Sequence, residues 1–207
     1  MRSIGYLLVL IVNVSRAFGA DVSAREFSDD EWRADIDHYV KFNVVRDAEE
    51  ERRLGAFSNE VIEFVEAKKV KKLIIDVRHN GGGNGNLTRR IVRKISTNER
   101  INQRGKLFII TGRHTFSAAL MFTARMERRT EALFAGEPGA GKPNWYSEFN
   151  GFTLSNTQMH GSISSIWHEE GEPDDTREFI PVAIFAPLSS QEFFSRQDPV
   201  LEAILAY

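Results

Sequence analysis

Apolar positions along the chain recur at two spacings, which predict strands and helices in alternation. Between His38 and Val45 apolar and polar residues alternate, as in a half-buried strand. Over 47–69 apolar residues recur at helical spacing in a charged background, which predicts an amphipathic helix. Similar signals predict further helices over 87–95, over 117–129 and after Pro199. Short apolar runs predict buried strands at 73–75, 107–110 and 132–135.

This repetition of strand, helix and strand predicts an α/β fold with a largely parallel sheet and flanking helices. Residues 150–190 break the repetition, and their pattern predicts short β segments separated by turns. We therefore expect one α/β core over residues 38–207.

The segment before this core divides into two parts. Residues 1–20 combine a positive start, a short apolar run and a small-residue end, the layout of a secretory signal peptide. The apolar run is shorter than the roughly 20 residues that span a bilayer. A buried strand is the alternative interpretation, because β-branched residues also suit a strand. Residues 21–37 are acidic, and this composition indicates a solvated connector. If residues 1–20 are a signal peptide, the protein is secreted or periplasmic.

Composition narrows the classes of function. The 207 residues are 42% hydrophobic and 27% charged, as in a soluble globular protein and unlike a disordered or multi-span membrane chain. The formal net charge of -2 gives the chain no global attraction to nucleic acid or anionic lipid. The chain has no cysteine, which excludes disulfides, thiolate zinc sites and cysteine nucleophiles.

A glycine cluster, Gly81, Gly82 and Gly83, stands between a predicted strand and a predicted helix. Backbone N–H groups in such a turn can converge on an oxyanion or a phosphate. A tight turn that needs positive φ would account for the glycines equally well. The cluster does not follow the G-x-G-x-x-G spacing, so we expect no dinucleotide site.

A second glycine-rich segment, Gly136–Lys142, has the spacing G-x-x-x-x-G-K of a P-loop. A P-loop continues with a Ser or Thr that holds Mg²⁺ and with a helix that faces the phosphates. Here Pro143 follows the lysine, and residues 144–151 have no helical period. We therefore exclude a nucleotide site.

Ser117 lies between a predicted strand and a predicted helix. A serine at a helix N-terminus places its hydroxyl where free N–H groups favour a developing anion. It would also be an ordinary N-cap residue. A serine nucleophile needs a base, and a lysine that is kept neutral can take the proton. Lys142 is a candidate because Gly141 and Pro143 hold it on a rigid turn, although most lysines are simply exposed to solvent.

Taken in order, these segments resemble the catalytic core of the S41 serine peptidases, the tail-specific or C-terminal-processing proteases. Ser117 and Lys142 are 25 residues apart, the Ser-to-Lys separation typical of that family. The resemblance covers roughly residues 38–207. It rests on the segments Leu73–Gly83, Thr115–Ala119, Gly136–Lys142, Arg177–Pro181 and Gln197–Ile204.

The resemblance implies a ClpP/crotonase-like fold and a role for each site residue. Ser117 would be the nucleophile and Lys142 its general base. The backbone N–H of Ala118, with one from Gly81–Gly83, would form the oxyanion hole. The substrate would be a peptide or an unfolded protein, with no metal and no organic cofactor. The resemblance gives no expectation for the oligomeric state.

The chain also departs from the family pattern. Leu120, Tyr146 and Val182 stand where relatives tend to carry Glu, Gln and Asp. A related branch uses a different catalytic set, for which Asp175 could supply the acid and His38 the base. Residues 1–37 are too few for the PDZ domain that many relatives place before the core. The alternative function is therefore a catalytically degenerate peptide-binding relative, or a fragment of a longer peptidase.

Overall fold

The computed structural model describes residues 39–43, 45 and 54–207 of the chain. The predicted signal peptide, the connector and His38 lie outside these described residues. Within them the fold is built on a five-stranded sheet with the strand order β1-β2-β3-β4-β7, in which every neighbouring pair is parallel. Its strands are β1 (Tyr39–Lys41), β2 (Leu73–Asp76), β3 (Leu107–Thr111), β4 (Leu133–Gly136) and β7 (Ile184–Phe185).

Helices cover both faces of this sheet, so the central strands are buried on both sides and read as continuous apolar runs. Ile75 and Ile109 face the helices that follow β1, β2 and β3, whereas Ile74 and Phe108 face the C-terminal helix. The sequence prediction of a parallel α/β fold is confirmed. The helices are α1 (Leu54–Lys68), α2 (Thr88–Ser96), α3 (Ala118–Arg129), α4 (Ser190–Ser195) and α5 (Pro199–Ala206).

Within the segment 150–190, predicted to form short β pieces, the residues up to Glu169 belong instead to one long hairpin, whereas Ile184–Phe185 form the short strand β7. Strands β5 (Asn144–Thr153) and β6 (His160–Glu169) pair antiparallel in a separate two-stranded sheet. The short helix α4 was not predicted, and it begins with a capping box in which Ser189 and Glu192 bond reciprocally. None of the described helices is long and apolar enough to cross a bilayer.

A cluster of four polar side chains joins the sheet to the C-terminal helix. The guanidinium of Arg78 binds Asp76 at 2.9 Å and both carboxylate oxygens of Asp198, the nearer at 2.7 Å. Tyr39 donates its hydroxyl hydrogen to Asp76. Asp198 also caps α5 by accepting the N–H of Leu201.

Burial and neighbouring charges within this cluster shift the pKa values of Arg78 and Tyr39. Burial lowers the pKa of Arg78, but Asp76 and Asp198 outweigh burial and hold this pKa above its ordinary value. Burial, and then the charge of Asp76, raise the pKa of Tyr39. The cluster therefore favours the charged form of Arg78 between Asp76 and Asp198.

We expect Asp198→Ala to lower the free energy of unfolding by about 2–3 kcal/mol, because it removes both the helix cap and a partner of Arg78. Asp198→Asn keeps the cap and loses the charge, so we expect a loss of about 1 kcal/mol. Urea denaturation of both variants measures the difference. Equal losses would show that the charge of Asp198, not its cap, sets the effect.

Candidate active site

Three loops meet where the parallel strands β2, β3 and β4 end, and Thr115 joins them. Its hydroxyl donates to the carbonyl of Val77 at 2.9 Å and accepts the N–H of Gly112 at 3.0 Å. Its carbonyl accepts the N–H of Ala140 at 2.9 Å. Because Thr115 is fully buried, these bonds fix the loop after each strand relative to the other two.

Asn80 organises the glycine turn in the same way. Its side-chain amide donates to the carbonyl of Phe42 at 2.7 Å, and its side-chain oxygen accepts the N–H of Gly82 at 2.9 Å. Its backbone carbonyl accepts the N–H of Phe116 at 3.0 Å. The turn after β2 is therefore bonded directly to the segment that carries Ser117.

Ser117 has a backbone conformation that few non-glycine residues adopt. Its φ is 53° and its ψ is -123°, and α3 begins at the next residue. It occupies the N-cap position of α3, but its side chain makes no capping bond to the helix, unlike that of an ordinary N-cap serine. Among the described residues its hydroxyl has no hydrogen-bond partner, and the residue is half-buried. A strained backbone thus presents an uncommitted hydroxyl at a helix N-terminus.

The glycine turn packs directly against this serine. A Cβ on Gly82 would lie 2.6 Å from the Cβ of Ser117 and 3.1 Å from the backbone nitrogen of Ala118, and Gly82 has a φ of +112°. Glycine is therefore required at position 82 for two reasons. It adopts a positive φ, and there is no space for a Cβ beside Ser117. The N–H of Gly82 is taken by Asn80, whereas those of Ala118, Gly81 and Gly83 have no partner within the described part of the chain.

Lys142 lies on a loop that packs beside α3, but its side chain is bonded elsewhere. A Cβ on Gly141 would approach Leu120 to 2.8 Å, which places this loop against the first turn of α3. The Nζ of Lys142 donates to Glu178 at 2.8 Å, and both side chains are exposed. The structure does not bring Lys142 into hydrogen-bond contact with Ser117. Strand β5 follows the loop instead of a helix, which agrees with the exclusion of a P-loop.

Asp175, the alternative acid, is held near the other end of α3. Its carboxylate accepts bonds from Arg177, which also binds Glu127 at 2.8 Å. Glu127 is ten residues after Ser117, or about 15 Å along a helix at 1.5 Å per residue. The bond from Arg177 holds the pKa of Asp175 below its ordinary value. The structure therefore joins Asp175 to the end of α3 remote from Ser117.

Two histidines that the sequence reasoning did not single out lie at the same edge of the sheet as Ser117. His79 and His114 each follow the end of a strand by three residues, and each is exposed. Partial burial lowers the pKa of His79, with Lys41, Arg78 and His114 acting in the same direction against Asp76. Their position after buried strands was the signal that could have identified them. Among the described residues no group of three or more acidic or histidine side chains could hold a metal ion.

The fold is similar to that of solved peptidase structures. A protein assigned as a peptidase from Parabacteroides merdae is 16% identical, with a TM-score of 0.54 over 81% of this chain and 59% of the other. A protein assigned as an S41 protease from Bacteroides fragilis is 13% identical, with a TM-score of 0.53 over 81% and 52% of the two chains. The photosystem II D1 C-terminal processing protease is 16% identical, with a TM-score of 0.52 over 72% and 41%.

These similarities define the class of fold. The chain has an S41-like peptidase fold, with the parallel sheet and flanking helices described above. It spans about half the length of the solved structures that it resembles. No family model matches the chain, and no curated protein matches it.

We expect Gly82→Ala to lower the free energy of unfolding by about 3 kcal/mol, because its methyl group meets Ser117 at a positive φ. Gly81→Ala is the matched control, since a Cβ at Gly81 has no neighbour within 4 Å, and its effect should stay within about 0.5 kcal/mol. Chemical denaturation compares the two variants. Equal stability would contradict the close packing of Gly82 on Ser117.

Proposed function

We propose that this chain is a serine-type peptidase in which Ser117 is the nucleophile. The observation that carries the proposal is the strained conformation of Ser117, with its hydroxyl uncommitted and Gly82 packed against it. Backbone strain of about 1–3 kcal/mol persists where the surroundings enforce it, and such sites are enriched at active centres. The S41-like fold supports the same assignment.

In the proposed reaction the Oγ of Ser117 attacks the carbonyl carbon of a peptide bond. The hydroxyl proton passes to a base, and the carbonyl oxygen becomes an oxyanion. The N–H of Ala118, together with that of Gly81 or Gly83, would donate to this oxyanion. The base then protonates the leaving amine, and water hydrolyses the acyl-enzyme, which restores the serine.

The base that we propose is Lys142. In this structure its Nζ donates to Glu178, so the side chain is directed away from Ser117. The base function therefore requires Lys142 to leave Glu178 and turn toward Ser117 as substrate binds. Both side chains of the pair are exposed, so this separation costs about 1 kcal/mol or less.

The proposed substrate is a peptide or an unfolded protein, because Ser117 lies at an accessible edge of the sheet. With net charge -2 we propose no nucleic-acid partner. Secretion or a periplasmic location is proposed only together with removal of residues 1–20 as a signal peptide.

We expect Ser117→Ala to reduce hydrolysis of a mixed peptide library at least about a thousandfold, because it removes the nucleophile. Mass spectrometry of the digests measures cleavage, and a fluorophosphonate probe should label wild type at Ser117. Ser155→Ala, in the exposed turn of the hairpin, is the control and should retain activity. If folded wild type binds peptides without cleaving them, the chain is instead a catalytically degenerate peptide-binding protein.

Lys142→Ala and Glu178→Ala break the same ion pair, and only the first removes the proposed base. We expect Lys142→Ala to lower kcat at least about a hundredfold, and Glu178→Ala to leave most of the activity. Steady-state kinetics on one cleaved peptide compares them. Similar small effects of both variants would remove Lys142 from the mechanism while leaving Ser117 as nucleophile.

A further inference from the structure

The β5–β6 hairpin has one apolar face. Its register pairs Tyr146 with Trp167, and Phe152 with Gly161, so these pairs lie on the same side as every second residue between them. The N–H of Leu154 donates to the carbonyl of Met159 at 2.9 Å, which continues the same register to the turn. We call this side the apolar face. Its large apolar residues are Tyr146, Phe152, Leu154, Met159, Ile163 and Trp167, and the small or polar residues Asn150, Gly161 and Ser165 lie on the same side.

The opposite face is mainly polar. It carries small hydroxyl residues and two histidines, together with the half-buried Trp145 and the exposed Phe149 and Ile166. Glu148 would fall on the apolar face by alternation, but its φ is +54°. Its carboxylate lies 3.7 Å from the imidazole of His168, a residue of the polar face. The local backbone thus directs this charge away from the apolar face.

Nothing in the described part of the protein covers the apolar face. Its six large apolar side chains are between 44% and 64% exposed. In that part of the chain the two strands of the hairpin pair only with each other. Two-stranded hairpins are marginally stable on their own, and a contiguous apolar patch of this kind on a soluble protein marks an interaction site.

We propose that the apolar face binds the same face of a second copy of this chain, forming a two-fold dimer. A large apolar side chain has roughly 200 Å² of surface, so six that are half exposed offer about 600 Å² per copy. Two copies would then bury about 1,200 Å², the lower end of the range for specific interfaces. Stacked sheets about 10 Å apart interdigitate side chains in this way.

Charge favours a second copy as the occupant. The hairpin segment from Asn144 to Glu169 contains no lysine and no arginine, the residues that normally keep exposed strands apart. With Glu148 turned to the polar face, two copies can approach without like charges meeting at the centre of the interface. A two-fold axis brings the same apolar surface of both copies together.

The test is the oligomeric state of the full chain by sedimentation equilibrium, from about 1 to 100 µM, where interfaces of modest size associate. We expect wild type to dimerise. Ile163→Lys brings two ammonium groups together at the proposed interface, so it should weaken dimerisation at least about tenfold. Ser162→Lys adds the same charge one residue away on the polar face and should leave the dimer intact.

Both positions are exposed, so neither lysine should change the thermal stability of the monomer. A wild type that stays monomeric throughout the range overturns the proposal and assigns the apolar face to another occupant. Equal weakening by the two lysines would overturn it as well, because the effect would not depend on the face. None of these results depends on peptidase activity.

Discussion

The candidate site depends on the hydrogen bonds made by Asn80, and above all on those of its side chain. This side chain is fully buried, and it bonds the residue after β1 and the glycine turn, while the backbone carbonyl of Asn80 bonds the segment before Ser117. A buried amide left without its partners would cost about 1–3 kcal/mol, which favours this arrangement of the three backbones. The position of Ser117 at the sheet edge thus follows from one residue of the turn after β2. Aspartate at this position could accept from Gly82 but could not donate to Phe42.

The strain at Ser117 is supported by the packing around it. Helix α3 buries nearly all of its first nine residues, and Phe122 packs edge-to-face on Phe42 with ring centroids 5.9 Å apart. Burial of one such aromatic ring contributes about 1.5–3 kcal/mol, comparable with the cost of an unusual φ. The helix cannot shift to relax Ser117 without losing these contacts. A rigid helix therefore holds Ser117 against the glycine turn.

The sheet could be predicted from the sequence because its strands are buried on both faces. Such strands appear as continuous apolar runs, which can be recognised without knowing the neighbouring strands. Leu73–Asp76 is apolar at every position but the last, and the parallel order follows from the alternation with helices. The bond between Lys142 and Glu178 joins residues 36 apart on exposed loops, and no local pattern encodes it. For the same reason the sequence could not place Asp175 near the end of α3, since Arg177 and Glu127 bind there through tertiary contacts. Alternation along the two ten-residue strands of the hairpin was weak in the sequence because glycine and serine interrupt it.

The hairpin and the candidate site share one loop. At one end of it, Ala140 is bonded to Thr115 beside Ser117. At the other end, the buried side chain of Asn144 donates to the carbonyl of Glu172 at 2.6 Å and accepts the N–H of Gly171 at 2.9 Å. Lys142 lies between these anchors, two residues before β5 begins. These two anchors hold the ends of the short backbone segment that carries Lys142, and this segment is continuous with the hairpin. A second copy bound to the apolar face would contact β5, the strand that begins two residues after Lys142, without displacing Ser117 or the glycine turn.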